Sequence, residues 1–489
     1  MDLDTMMGGR TAWGTNEASP VQLAVVIALP MLVAGTAVLA VWPDEGVRPV
    51  VYGSVGLVLT GVMIGVLYRF PWLAPWGAIG IFCLSDELRL RLTPVVGLAK
   101  DVYVAVLVVM VVLAVFRHRE VLERLRPFGG ALAVTGLLVG LYLANPAGGY
   151  GATWFFGSRL LFEVLALGLV GVLCSSPELT RAHLVRTMVV FVPFEAAFAW
   201  AQQLAGQAML TSGWLYQPGA QTRVTSDGVL RTSGTFDDPF QLAALAVLGT
   251  AIALFLGNRR QAQVLMVSGA AILGATSVRS AMVQVGLLLL VYAVRRGLRR
   301  QALALGAATA VVGLFTLAST TAAALPGGPA ELQVLSLNGR TTAWDQAIQG
   351  PTSFFTGNGV GALGSGSTRA GQDLISAPPS GGSVGDDVTA GNAAFLDSSY
   401  AQVQSDVGIV GTLALIGGAV GTAVVLARRC ARYRDPASWA AFGVLVVSMI
   451  DWLGRSSLAS YTTGFITMYV LGVLISAGVP ARKASEIAG

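Results

Sequence analysis

Three arginines and one aspartate stand where charge needs a reason. Arg231 lies in RTSGTFDDPFQLA, Arg279 in TSVRSAMVQ between two apolar runs, Arg340 in NGRTTAW, and Asp397 opens the stretch DSSYAQVQSDVGIVGT. A charged group beside hydrocarbon is costly and tends to mark a substrate path. Several guanidinium groups converging on one membrane face suit a diphosphate, because the planar fork makes paired, charge-assisted hydrogen bonds to phosphate oxygens. Arg159 and Arg455 also sit at the ends of apolar runs and can join such a set. At that depth the matching ligand is a diphosphate linked to a lipid. The alternative is plainer: each arginine reaches to lipid phosphates or pairs with a loop carboxylate.

The elements that must position these residues are membrane helices. The chain has 489 residues, of which 54% are hydrophobic and 12% charged, against about 25% charged in soluble domains. Its mean hydropathy is +0.69. Apolar runs long enough to cross a bilayer recur throughout, which predicts an all-α polytopic protein of about 12–14 transmembrane helices. They fall near 21–41, 50–68, 71–84, 95–116, 128–143, 159–174, 184–205, 239–257, 263–277, 279–294, 302–323, 400–427, 437–452 and 460–478. The N-terminus lacks a basic n-region and cleavage site, so the first apolar segment is expected to stay. Cys83, Cys174 and Cys430 lack metal-ligand or redox spacing and read as small core residues.

Orientation follows from the basic clusters RHREVLERLRP after Phe116, NRR at 258–260, RRGLRR at 295–300, RRCARYR at 428–434 and ARK at 481–483, which all fall on one side. By the positive-inside rule that side is cytoplasmic, with both termini. Three longer segments are then external: Ala144 to Ser158, Gly206 to Asp238, and Ala324 to Ser399. The chain divides into helices with short loops over 1–323, the large external loop over 324–399 and C-terminal helices over 400–489. The large loop is expected to carry a short amphipathic helix in GRTTAWDQAIQ (339–349), a tight turn in GNGVGALGSGS and a mobile tract over about 370–392.

His118 and His183 fall in cytoplasmic connections, so an external general base has to be a carboxylate. Asp397, Asp406, Asp227, Asp237, Asp238, Asp345, Asp386 and Asp387 are the candidates, and position alone does not choose between them. A lone loop aspartate before SSYAQVQ also fits a helix cap. HExxH and CxxC signatures are absent, so the expected chemistry uses no metal and no cofactor. GNGVGALGSG lacks the strand-to-helix setting of a nucleotide-binding loop.

Three stretches resemble the O-antigen ligase and polysaccharide polymerase superfamily of bacterial envelope membranes. RTSGTFDDPFQLAALAVLG is similar to its "R-x-S-G-T-F-x-x-P" motif, and NGRTTAWDQAIQ…FFTGNGVG to its "G-R-x-x-x-W … G-x-G" loop. DSSYAQVQSDVGIVGT is similar to its "His-Asn/Ser/Gln, nine residues, G-x-x-G-T" motif, with Asp397 in place of the histidine. Gly408, Gly411 and Thr412 complete that spacing.

The resemblance implies a C-type glycosyltransferase-like fold in the bacterial plasma membrane, moving a glycan from a polyprenyl diphosphate carrier to an acceptor hydroxyl outside the cell. Arg231 and Arg279 would then hold the diphosphate and Arg340 would organise the large loop. Asp397 would be the catalytic residue, with Ser398 and Tyr400 beside it on the substrate. The histidine's replacement points toward a polymerase, or a ligase for an envelope glycan other than lipopolysaccharide. The expected partners are the lipid-linked oligosaccharide donor, a glycan or lipid acceptor and membrane lipids, with no nucleic acid. A carboxylate can take the acceptor's proton as it attacks, and one displacement inverts the anomeric carbon. The competing reading is a transporter or flippase for a lipid-linked or anionic substrate.

Overall fold

The structure, a computed structural model, describes residues 60–67, 69–91, 98–117, 119–174, 176–206, 209, 223–224, 230–236, 238–298, 347–348, 350–363, 398–458 and 461–477. Numbered over those residues, the helices begin with α1 (Thr60–Leu67), α2 (Ala74–Arg91), α3 (Leu98–Arg117), α4 (Gly129–Ala144) and α5 (Ala152–Val172). They continue with α6 (Pro177–Ala205), α7 (Pro239–Phe255), α8 (Arg259–Thr276), α9 (Arg279–Arg295) and α10 (Pro351–Thr356). The last are α11 (Ser399–Tyr433), α12 (Pro436–Gly454) and α13 (Tyr461–Ala477).

Among the described residues, six helices are long and apolar enough to cross a membrane: Ala99–Phe116, Arg126–Ala144, Ala152–Val172, Pro177–Ala205, Ser399–Tyr433 and Pro436–Gly454. A bent pair, Thr60–Leu67 with Pro71–Leu88, makes a seventh if it is one span, and α7 and most of α13 are apolar but shorter. The described chain is therefore an all-α polytopic protein. Its one sheet among the described residues is a two-residue ladder of β1 (Arg223–Val224) and β2 (Leu230–Arg231), antiparallel with Arg223 opposite Arg231. The expected spans at 21–41 and 302–323, the start of 50–68, the tract 370–392 and all of GRTTAWDQAIQ but Ala347 and Ile348 lie outside the described residues.

Several boundaries differ from the hydropathy reading: α2 continues to Arg91, α6 starts at Pro177 and so includes His183, and α11 runs to Tyr433. The external segment expected over Ala144–Ser158 shrinks to the turn between α4 and α5, because α5 already starts at Ala152. Arg159 does not end the helix there, since it pairs with Asp101 of α3 and, one turn on, with Glu163 (2.9 Å). With its charge offset, the aromatic run Trp154–Phe156 continues the helix outward.

Among the described residues, the basic clusters gather at one end of the bundle, where they meet helix ends; ARK at 481–483 and the close of RRGLRR lie outside the described residues. Arg124 donates to Cys174 O at 2.6 Å just beyond α5, and to Ser476 Oγ of α13. Arg429 donates to Ile475 O and stacks 4.7 Å over Phe128. Carbonyls at helix C-termini have no partner within the helix, and arginine supplies one while complementing the dipole. His183 is near this end, accepting from Trp76 Nε1 at 3.1 Å. Cys83 and Cys430 are buried and Cys174 half-buried, all as free thiols.

Glycines set how closely the spans approach. A Cβ on Gly171 of α5 would stand 2.6 Å from Tyr469 O and from Val473 N of α13. A Cβ on Gly418 of α11 would stand 2.6 Å from Thr135 Oγ1 of α4. Small residues permit this backbone proximity, which drives helix association in lipid.

Candidate functional site

The loop end, opposite the basic clusters, gathers the residues singled out in the sequence. Its first part is RTSGTF, where half-buried Arg231 ends β2 and the buried non-helical run Thr232–Phe236 leads toward α7. Thr232 N and Oγ1 both donate to Ala275 O at 3.3 Å, which ties Arg231 to the end of α8, four residues before Arg279. Gly234 has φ +64°, and a Cβ there would meet Glu195 Oε2 at 2.5 Å, so the motif's glycine is both conformational and steric. Thr235 bridges two helices. Its N donates to Glu195 Oε2 of α6 at 3.0 Å, and its hydroxyl contacts Glu195 Oε1. On α2 that hydroxyl donates to Cys83 O at 2.7 Å, while Glu87 N donates to Thr235 O at 3.0 Å. Phe236 is buried, and Asp238 caps α7 by accepting from Phe240 N at 2.6 Å.

This run explains why α7 has only 17 residues. Non-helical backbone at membrane depth is tolerated where protein buries it and satisfies its polar groups. Thr232–Phe236 meets both conditions, so it covers depth that the helix does not.

The second part is the corner where the starts of α7, α9 and α11 meet the end of α12. Asp451 Oδ1 accepts from Gln284 Nε2 of α9 at 2.5 Å and from Arg455 Nε at 2.6 Å. Arg455 also donates to Phe240 O at 2.8 Å and lies 5.4 Å over that ring. Arg455 O accepts from Ser399 N at 3.0 Å, which seats the start of α11 here. Asp451 and Gln284 also line a small cleft between α7, α12 and α13, whose other walls include Ala244, Val247, Leu248 and Met468.

The cap of α11 is Ser398: its Oγ accepts from Ala401 N at 3.3 Å and donates to Trp452 O at 2.9 Å. The capping task that Asp397 was suited to is therefore filled by its neighbour. Tyr400 is buried, donating to Met449 O at 3.2 Å and packing edge-on to Trp452. Both residues seat α11 on α12. Asp397 itself and Arg340 lie outside the described residues. Arg279 is exposed at the first turn of α9.

The third part is a break in α11. Gly408 has φ 74° and ψ −169°, a region open essentially to glycine alone. A Cβ there would run into Phe355 O of α10. The turn after α10 packs into the break: Gly357, Gly359 and Gly361 all have positive φ, and Asn358 N donates to Ser405 O at 2.5 Å. Asp406, a candidate base by position, is buried and accepts from Tyr142 Oη at 2.7 Å, Gly361 N at 3.0 Å and Gln402 Nε2 at 3.1 Å. With three donors on it, this carboxylate is a tether for the glycine turn. Asn145, left-handed at φ 43°, completes the tether by accepting from Val360 N at 2.8 Å.

Arg231, Arg279, Arg455 and Ser398 thus come to one end through a continuous set of contacts. Arg159 is instead paired with Asp101 and Glu163. Residue-by-residue reading missed Glu195 and Tyr142. Glu195 carried a signal, a carboxylate within an apolar run, whereas Tyr142 carried none. Compared with known proteins, the chain matches no family model and no curated protein.

Proposed function

We propose that this chain is a membrane glycosyltransferase of the C-type, a polymerase or ligase that moves a glycan from a polyprenyl diphosphate carrier to an acceptor hydroxyl on the extracytoplasmic face. The observation that carries the reading is the convergence at the loop end: Thr232 on Ala275 O joins Arg231 to the helix turn before Arg279, and Ser399 on Arg455 O brings the start of α11, next to Asp397, to the same face.

In this reading Arg231 and Arg279 neutralise the diphosphate, which makes it a good leaving group. Asp397 takes the proton from the acceptor hydroxyl as that oxygen attacks the anomeric carbon. The glycosidic carbon–oxygen bond to the diphosphate breaks in the same step, with inversion. Arg455 stays on Asp451 and shapes the corner, while Ser398 and Tyr400 hold α11 in place. Arg340 would order the large loop, and Arg159 has no part in donor binding.

The break at Gly408 favours the transporter reading, since discontinuous helices bind solutes in transporters. Here Phe355 and the glycine turn fill it, so chain takes the place a solute would need. The test is reconstitution of the full chain in nanodiscs with polyprenyl diphosphate-linked oligosaccharide and acceptor, without nucleotide sugar or added metal. Glycan transfer to the acceptor is expected. Absence of transfer, combined with movement of the donor between leaflets in proteoliposomes, would replace the enzyme with a flippase.

A further inference from the structure

Glu195 is a carboxylate inside a membrane-spanning helix, fully buried and ten residues before the end of α6. At 1.5 Å per residue that is about 15 Å below the helix end, a depth at which an ionisable group is rare and tends to serve function. Both of its oxygens go to Thr235. Two helical turns on, Gln202 makes a reciprocal pair with Gly234: Gly234 N donates to Gln202 Oε1 at 2.9 Å and Gln202 Nε2 donates to Gly234 O at 2.6 Å. Pro193 lies inside the same helix, two residues before Glu195.

We infer that Glu195 and Gln202 are positioning residues, a clamp on α6 that sets the place and direction of the Arg231 segment at the donor site. The inference rests on the donor-site reading above, and it adds residues that no motif of the sequence marks. A merely packed loop would need apolar contacts. The run Gly234–Thr235 instead has its N–H and C=O groups held from α6 on one side and α2 on the other. Thr235 enters the α2 ladder at Cys83 and Glu87, one turn apart, so the segment cannot slide along either helix without breaking buried bonds on both. Arg231 is four residues upstream of that fixed point, with Thr232 pinned to α8 between them. The clamp therefore acts on Arg231 through the backbone rather than by touching ligand.

The experiment uses the full chain in nanodiscs and reads three quantities: melting temperature, the dissociation constant for polyprenyl diphosphate, and the rate at which a thiol reagent modifies Arg231→Cys in a background without native cysteines. Glu195→Leu should weaken donor binding by roughly tenfold or more, about 1.4 kcal/mol, and should change the thiol rate. Glu195→Gln should restore both, because its amide carbonyl accepts from Thr235 N and its amide group donates to the Thr235 hydroxyl. Thr235→Val removes the hydroxyl's contacts with Glu195 and Cys83 O, and Gln202→Leu removes the pair on Gly234; each should shift both readouts if Glu195→Leu fails to fold. Leu184→Ala, a buried change elsewhere on α6, should lower the melting temperature alone. Unchanged thiol reactivity in folded clamp variants overturns the inference, whatever the donor does. A shifted thiol rate in a protein whose wild type binds no donor keeps the clamp and overturns the donor-site reading.

Discussion

Arg124 and Arg429 at one end of the bundle, and Glu195 and Asp406 at the other, all reach partners far away in sequence, yet they hold different things. The arginines close helices that are already regular, by meeting carbonyls at the ends of α5 and α13. The carboxylates hold backbone that is not helical at all: the RTSGTF run on Glu195 and the glycine turn on Asp406. The basic end thus has short connections whose charges serve orientation and capping. At the loop end, Glu195 and Asp406 keep irregular backbone in one place. Precise placement of irregular backbone is what a binding or catalytic site requires.

The largest effect expected from breaking this contrast is at Asp397. Because Ser398 caps α11, Asp397→Asn should leave a folded, donor-binding protein whose transfer rate falls by about 10²–10⁴-fold. Near-normal transfer by that variant would remove Asp397 as the base. Next come Arg231→Ala and Arg279→Ala, each expected to weaken donor binding by about 10- to 100-fold, the range of a lost charge-assisted hydrogen bond. Lysine at either position should recover only part, because a point charge does not reproduce the two-pronged contact. Titration with lipid diphosphate decides this, and normal affinity in both alanine variants would dismantle the clamp on phosphate.

Smaller is the effect of Gly408→Ala, which places a Cβ against Phe355 O in a backbone region costing about 1–3 kcal/mol for other residues. The variant should melt lower and loosen the 350–363 turn, read as faster proteolysis there. Unchanged proteolysis would separate the α11 break from the turn. The smallest effect on the donor site is that of Arg429→Ala at the basic end, which loses one charge-assisted hydrogen bond and one ring contact, about 2–3 kcal/mol of stability together. It should lower the melting temperature and leave donor affinity alone. A loss of affinity there would erase the division between the ends.

The spans at α3, α4, α5, α6, α11 and α12 were legible because length and apolar composition mark them in the sequence, whereas α8 and α9, expected as spans from their apolar runs, are not among the described helices long and apolar enough to cross. The one-sided arginines were legible for the same reason, since they lie in short loops. Arg455 with Asp451 and Arg159 with Glu163 are each four residues apart, a spacing on one helix face that marks a pair. Asp101 as the second partner of Arg159 was hidden, because it comes from another helix. Glu195 on Thr235 and Tyr142 on Asp406 span 40 and 264 residues. No local pattern encodes such contacts, which exist only once the helices are packed. Asp406 shows the cost of reading position alone: it sits where a base would suit, and packing turns it into an acceptor for a neighbouring loop.

The central claim is that the loop end is the donor site and faces outward, and labelling tests it most directly. In a chain without native cysteines, Ala362→Cys marks the exposed loop end and Arg432→Cys the exposed basic end. An impermeant thiol reagent added to intact cells should modify Ala362→Cys and spare Arg432→Cys until the membrane is permeabilised. In nanodiscs, polyprenyl diphosphate-linked oligosaccharide should slow the reaction at Ala362→Cys and leave Arg432→Cys unaffected. Labelling of Arg432→Cys from outside, or protection by donor at that end instead, would contradict the account.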